Sequence, residues 1–376
     1  MRRKSNIWMK LSRFSSLIIL LLLLFIAKSY YSILRHARTQ EVPDFQEFEI
    51  QRKPVKRRYN VTIAVIVDEL DKLETLYEKS MNTITCYALM HNYGLKVVST
   101  KEYSKTCTQK DFFFRRHCVV AELLKPNVEW ILFIDADIGI VNPKILIEEY
   151  IDENYHLTLY DRMCNWEIAM GSYIVKNSDW AKSFLRNFAN YESELPSSFH
   201  GTDNGAIHAF IQERFLPDLN SEAQICKRIW AKSKWYSDLF LFEACIRAII
   251  GQNRKFDKLR IMKKGTSWIR DIWITDSKWS EDRDFILHGW KETDRRDIDE
   301  FLIVKIFNSI FMDRFNWYNP LKETLDLKKC ALSMETWKHE ESLKVEKNEI
   351  NQRLKKISNE VESDKWMVMK KIAAFV

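Results

Sequence analysis

Asp135 and Asp137 stand one residue apart behind the run Trp130-Ile131-Leu132-Phe133-Ile134. Five apolar residues rich in β-branched and aromatic types predict a strand buried on both faces, central in a parallel sheet. Positions i and i+2 of a strand share a face, so the two carboxylates point the same way. Side by side they repel unless a cation lies between them. The carboxyl edge of an open α/β sheet is also where such folds place their ligands. Gly139 is expected to turn the chain, with Pro143 outside the strand. The bland alternative is a pair that caps a turn and binds nothing. Two other Asp-x-Asp pairs, Asp282/Asp284 and Asp297/Asp299, lie in charged surroundings and read as solvated faces.

Other reactive residue types fall near predicted strand ends and helix starts. Residues 61–67 form a β-branched strand ended by Asp68, which either meets a nucleotide or caps a helix over 72–92. A second strand spans 94–100. A helix over 112–124 carries Arg115, Arg116 and His117; an arginine there reaches a phosphate or lies on the surface. Strands over 157–162 and 168–177 follow, and Gly171 and Ser172 in the latter are small enough for a ligand to approach the backbone. Trp180, Phe184, Leu185 and Phe188 mark an amphipathic helix over 179–191. Asp203 and Asn204 lie between Gly201 and Gly205, ahead of a helical stretch over 206–250. Capping accounts for Thr202 or Asp203 but not for the whole cluster. Trp268, Trp273, Trp279 and Trp290 crowd one region, suited in part to the core and in part to stacking on sugar rings. Within it a strand over 285–288 ends in His288, followed by Gly289 and Lys291.

The elements that must hold these residues belong to a globular chain of 376 residues, 46% hydrophobic and 30% charged. Scarce Gly and Pro exclude fibrous and low-complexity classes. The net charge is +7, but residues 1–58 alone carry 13 Lys/Arg against 4 Asp/Glu, a net of +9, so the remainder carries −2. That distribution argues against nucleic acid as a partner. Arg2, Arg3, Lys4, Lys10 and Arg13 precede eleven unbroken apolar residues, Leu17 to Ala27. The pattern predicts a signal anchor over 14–31 with residues 1–13 cytosolic, or a cleaved signal peptide; either sends the rest into the secretory pathway. Residues 32–59 read as a polar stem, 60–325 as the main domain and 326–376 as a C-terminal helical extension. Leu343, Ile350 and Ile357 repeat every seven residues there, with Leu354 and Val361 between, which suits a surface helix or a homo-oligomer contact. Asn60-Val61-Thr62 is a glycosylation sequon. None of the seven cysteines forms a C-x-x-C pair, so a zinc site is not expected; an odd count leaves at least one unpaired.

Strand, Asp135-x-Asp137, Gly171-Ser172-Tyr173 before Asn177 and Trp180, Asp203-Asn204, then His288-Gly289 and Lys291 occur in that order. The series resembles the GT-A glycosyltransferases, in particular yeast α-galactosyl- and mannosyltransferases and plant xyloglucan xylosyltransferases. The wording around Asp135 and His200 is similar to a nematode family of secretory proteins. The resemblance implies an α/β, Rossmann-like nucleotide-diphospho-sugar transferase domain with a mainly parallel central sheet, behind the membrane anchor. It implies Asp135, Asp137 and His288 as ligands of Mn²⁺ or Mg²⁺. It also implies Asp68, Arg116, Asp135, Gly171, Ser172, Gly289 and Lys291 around the nucleotide-sugar donor, and Asp203 and Asn204 as catalytic residues near a glycan or glycoprotein acceptor. Transfer with retention in the Golgi or endoplasmic reticulum, by a single-pass type II protein or a secreted one, would follow. Asn204 stands where the family has Gln, and Lys291 follows His288 at three positions rather than five or six. The rival classes are a phosphatase with Asp135 as nucleophile, disfavoured by Gly139, and a luminal binding protein that kept the fold without catalysis.

Overall fold

The architecture comes from a computed structural model that describes residues 58–296 and 315–373. The anchor at 14–31, most of the stem and the pair Asp297/Asp299 lie outside the described residues. Among the described residues no helix is long and apolar enough to cross a membrane.

Seven strands form the main sheet: β1 (Val61–Val67), β2 (Gly94–Ser99), β3 (Trp130–Ile134), β5 (Leu157–Asp161), β6 (Ile168–Lys176), β7 (Lys255–Phe256) and β8 (Leu259–Met262). Their order is β2-β1-β3-β6-β5-β8-β7. Five of the seven run in one direction; β6 is antiparallel to both β3 and β5, and β7 to β8. The fold is mixed α/β with a mostly parallel sheet, as the apolar runs of β1 and β3 predict. Both strands are buried at every position, because helices cover both faces. A second sheet has the order β4-β10-β9, from β4 (Ile138–Ile140), β9 (Ile269–Asp271) and β10 (Ile286–His288).

The long helices are α1 (Glu78–His91), α2 (Phe112–Leu123), α3 (Asp179–Asn190), α4 (Thr202–Phe215), α5 (Asn220–Ala231), α6 (Tyr236–Ile250) and α7 (Lys347–Ala373). The helix expected over 72–92 is broken: a single turn, Lys72–Thr75, precedes α1, and Asp68 caps neither piece. The helical stretch after 206 is three helices, interrupted at Pro217 and again before Tyr236, and it starts earlier, at Thr202. The apolar stripe of α7 is covered by the same chain. Ile350 and Leu354 pack with Met163 and Ile274, while Met369 and Ile372 join the main core beside α5 and α6. The heptad spacing therefore has an intramolecular cause.

Gly139 does not turn the chain. It sits within β4, where an added Cβ would lie 2.6 Å from the indole of Trp290. Trp268, Trp279 and Trp290 are all buried, so none offers a face to a sugar. Asp284 is not solvated either; Arg270 binds both of its oxygens at 2.8 and 2.9 Å, and Arg283 joins them.

Three disulfides link Cys86–Cys330, Cys107–Cys118 and Cys226–Cys245, leaving Cys164 unpaired. The first closes a loop of 244 residues and fastens the C-terminal extension to α1. Cys330→Ser is expected to cost about 2–5 kcal/mol, because the open chain gains entropy when unfolded. A fall in the denaturant midpoint with a steeper slope, from the more expanded unfolded chain, checks this.

Candidate functional site

The site lies where β3 passes into β4. Asp135 continues the β3 ladder by one bond, its amide donating to the Gly171 carbonyl at 2.9 Å. Asp137 directly precedes β4, and its carbonyl accepts from the amides of Gly289 (2.9 Å) and Trp290 (2.8 Å) just past β10. Register sets His288 opposite Ile138. Two segments 151 positions apart in sequence, Asp137 and His288, are thereby joined by backbone bonds before any side chain is considered. Gly289 makes this junction with φ +108°, a backbone conformation that L side chains rarely adopt.

Around Asp137 two predicted residues converge. His288 Nε2 lies 3.5 Å from its Oδ1, and Lys291 Nζ lies 3.6 Å from its Oδ2. Behind His288, Nδ1 faces Asp271 Oδ1 at 2.7 Å, and Arg162 anchors Asp271 at 2.7 Å and Glu167 at 3.1 Å. A carboxylate only accepts, so Nδ1 carries a proton and Nε2 is directed at Asp137. Burial alone would raise the Asp137 pKa, but His288 and Lys291 hold this carboxyl well below the usual range. Burial likewise opposes the charged form of His288, yet Asp137 and Asp271 raise its pKa to about 10.

Asp135 faces a second group. Its Oδ1 pairs with Arg116 Nη1, whose other nitrogen, Nη2, reaches Asp203 Oδ2 at 2.6 Å. His117 Nε2 donates to the same Asp203 oxygen at 2.9 Å, and His117 Nδ1 accepts from the Tyr173 hydroxyl at 3.0 Å. Asp203 Oδ1 takes the Asn204 amide at 2.9 Å and the Thr202 hydroxyl at 3.1 Å. Asp203 is 0% exposed; burial raises its pKa, but Arg116 and His117 bring it down to about 2. Burial pushes the Asp135 carboxyl up, with Asp137 and Asp203 pushing the same way against Arg116.

The small residue at Gly171 makes room for this chain's own carboxylate rather than for a ligand. A Cβ there would lie 2.6 Å from Asp135 Oδ2. Gly171→Ala is expected to push Asp135 off Arg116, cost about 1–3 kcal/mol, and lower divalent-ion affinity. Calorimetric titration with Mn²⁺ and thermal melting check both effects.

The remaining candidates are engaged by their own chain. Ser172 is buried and accepts from Trp268 Nε1 at 2.9 Å. Asn204 Oδ1 accepts from the Met170 amide at 2.8 Å. Asp68 follows β1 at the same sheet edge, and its Oδ1 meets the Thr100 hydroxyl at 3.4 Å. Arg116 is neither a surface residue nor free for a phosphate; it is 2% exposed and bridges two carboxylates. The glycines flanking Asp203 have local causes. Gly201 caps α4 at φ +70°, and a Cβ on Gly205 would lie 2.1 Å from the His200 carbonyl.

Asp271, Arg162 and Tyr77 escape the sequence reading. Asp271 ends β9 beside His288 in parallel register, and a strand-final Asp was its only local signal. Tyr77 is half-buried; burial and the charge on Asp137 raise its pKa, so its phenol lies within electrostatic reach of the site.

A divalent cation, if bound here, would take Asp137 and His288 as its protein ligands, two rather than three. Their facing atoms are close enough to share one ion, and Asp271 holds the imidazole as outer-shell carboxylates do for metal-bound histidines. Among the described residues no three His, Cys, Asp or Glu side chains form a complete cage. Oxygens of a bound diphosphate and water would supply the other ligands.

Solved structures with partial likeness include a glycosyltransferase involved in glycosylation of the major capsid of PBCV-1. It is 18% identical, with TM-score 0.33, and the match covers 42% of this chain and 77% of that one. The apo glycosyltransferase GlyE of Streptococcus pneumoniae TIGR4 is 12% identical at TM-score 0.30, covering 44% of this chain and 49% of GlyE. Likeness at this level carries no statement about what this chain acts on. No curated protein matches the sequence. Residues 84–305 of the 376 match the family described as "Protein of unknown function, DUF273", and the chain belongs to that family.

Proposed function

We propose that this protein transfers a hexose or pentose from a nucleotide-diphospho-sugar to a glycan or glycoprotein, with a divalent cation bound and with retention. The observation that carries the reading is the Asp137 carboxylate set between His288 and Lys291, with Asp271 orienting the imidazole. A cation at Asp137 and His288, Mn²⁺ by preference for the imidazole or else Mg²⁺, supplies Lewis-acid stabilisation of a leaving diphosphate. The Lys291 ammonium meets the charge that develops on the β-phosphate oxygens. Asp135, fixed by Arg116, contributes a partly exposed carboxylate at the donor. Asp203, fully buried, acts as a positioning residue through Arg116. Three disulfides suit an oxidising compartment, and with the apolar segment at 14–31 they support a luminal domain of the Golgi or endoplasmic reticulum, anchored or secreted.

The test is Mn²⁺-dependent binding of UDP and GDP by the purified chain, followed by release of nucleoside diphosphate from UDP- and GDP-sugars. An ion entering at Nε2 displaces its proton. Mn²⁺ affinity should therefore rise about tenfold per pH unit between pH 6 and 8, below the His288 pKa of about 10. His288→Gln should flatten that slope. No nucleotide binding with either ion overturns the proposal. A second reading, a luminal binding protein without transfer, is favoured by the full engagement of Asp203 and Asn204 with their own chain; nucleotide binding without turnover would select it.

A further inference from the structure

Beyond the carboxylate site, an open cavity of about 470 Å³ lies beside the start of α2. That volume falls in the range of small-molecule sites. Its walls are Thr108, Gln109, Lys110, Asn190, Glu192 and Ser193. Gln109 is 8% exposed; its Nε2 donates to Asn190 Oδ1 at 2.7 Å, but its Oε1 is buried with no hydrogen-bond partner. An unmatched buried carbonyl is costly, and a turn of the Gln109 side chain toward the cavity would let a ligand hydroxyl satisfy it. Amides and hydroxyls both donate to and accept from a ligand rich in hydroxyls, and the Glu192 carboxylate accepts from it.

Asp111 follows the cavity-wall residue Lys110 in sequence. Asp111 caps α2 through the Phe113 amide at 2.7 Å and lies within electrostatic reach of Asp203, Glu192 and His200. Next to His200, Phe199 packs against Trp235 and Tyr236 with ring centroids 5.7 and 4.9 Å apart. Trp235 is 63% exposed and Tyr236 49%, whereas most tryptophans of the fold are buried. Exposed aromatic clusters of this kind mark contact surfaces. We propose that the Gln109–Asn190 cavity and the Phe199–Trp235–Tyr236 shelf form a subsite for the sugar chain of the acceptor, the shelf stacking on a ring and the cavity binding hydroxyls. The inference rests on the glycosyl-transfer reading, and it names the acceptor as a glycan rather than a bare peptide or lipid.

The test uses the full chain on an array of neutral and sialylated N- and O-linked oligosaccharides. It compares wild type with Trp235→Ala and Asn190→Ala, both at exposed positions, with a thermal melt of each to show that it is folded. Wild type should bind a subset of the array, and each variant should bind that subset about tenfold more weakly. Mn²⁺-dependent UDP or GDP binding should stay unchanged. Absence of glycan binding by wild type, or equal binding by the variants, overturns the subsite even where nucleotide binding upholds glycosyl transfer. Loss of glycan binding in the variants of a chain that binds no nucleotide keeps the subsite and overturns transfer. Association with phosphatidylcholine vesicles that Trp235→Ala abolishes, in place of glycan binding, would assign the shelf to a membrane and overturn the proposal.

Discussion

Asp137→Asn is expected to reduce nucleoside-diphosphate release from the nucleotide-sugar by about a thousand-fold or more, in a chain that stays folded but is less stable, because His288 and Lys291 lose the carboxylate they face. On the glycosyl-transfer proposal, several kcal/mol of charge stabilisation in the transition state would depend on a cation held by this carboxylate, and each 1.36 kcal/mol is tenfold in rate. Asparagine keeps the size of the side chain and one oxygen but lacks the charge that faces His288 and Lys291. The fold should survive, because the junction with β10 uses the Asp137 carbonyl, which accepts from Gly289 and Trp290 in either variant. Turnover within tenfold of wild type, or a loss explained by unfolding in a parallel melt, would remove Asp137 from the centre of the chemistry.

Arg116→Ala should act in the opposite manner, on stability first. It leaves the carboxylates of Asp135 and Asp203 without their shared cation, one of them fully buried. Breaking a buried ion pair from one side costs about 3–5 kcal/mol. Arg116→Lys should not restore it, since one ammonium cannot hold two carboxylates as a planar fork does. Adding Asp203→Asn to Arg116→Ala should recover part of the loss by removing the stranded charge. Denaturant midpoints for the three variants measure this. A neutral Arg116→Ala would show that the network contributes nothing net to the fold.

The contrast between these two variants follows what the sequence could and could not convey. Asp135 and Asp137 were legible because a strand buried on both faces has a continuous apolar run, and its end is marked by the first charges. The convergence of Asp137, His288 and Lys291 was anticipated from residue types in a familiar order. The partner Asp271 was not, because nothing local distinguishes a strand-final Asp that meets a histidine from one that meets water. Gly171 advertised a close approach but not what approaches; the answer is a side chain thirty-six positions earlier in the chain. The tryptophans were equally ambiguous. An indole in a strand-rich segment carries no sign of which way it faces, and here Trp268, Trp279 and Trp290 turned inward while Trp235, in a helix lead-in, turned out.

The bond between Cys86 and Cys330 also sets a schedule for synthesis. Cys86 belongs to a helix beside the first strand, and its partner is made 244 residues later. At about 5–20 residues per second, roughly 10–50 s pass before the second thiol exists. During that interval α1 must be held by noncovalent contacts alone, with one cysteine exposed to wrong partners such as Cys107, Cys118 or Cys164. The two short-range bridges, separated by 11 and 19 residues, can close while the chain is still growing. Maturation of this protein is thus divided between early local closures and one late closure, and a truncated chain ending before Cys330 would be left with an unpaired Cys86 however well its sheet had formed.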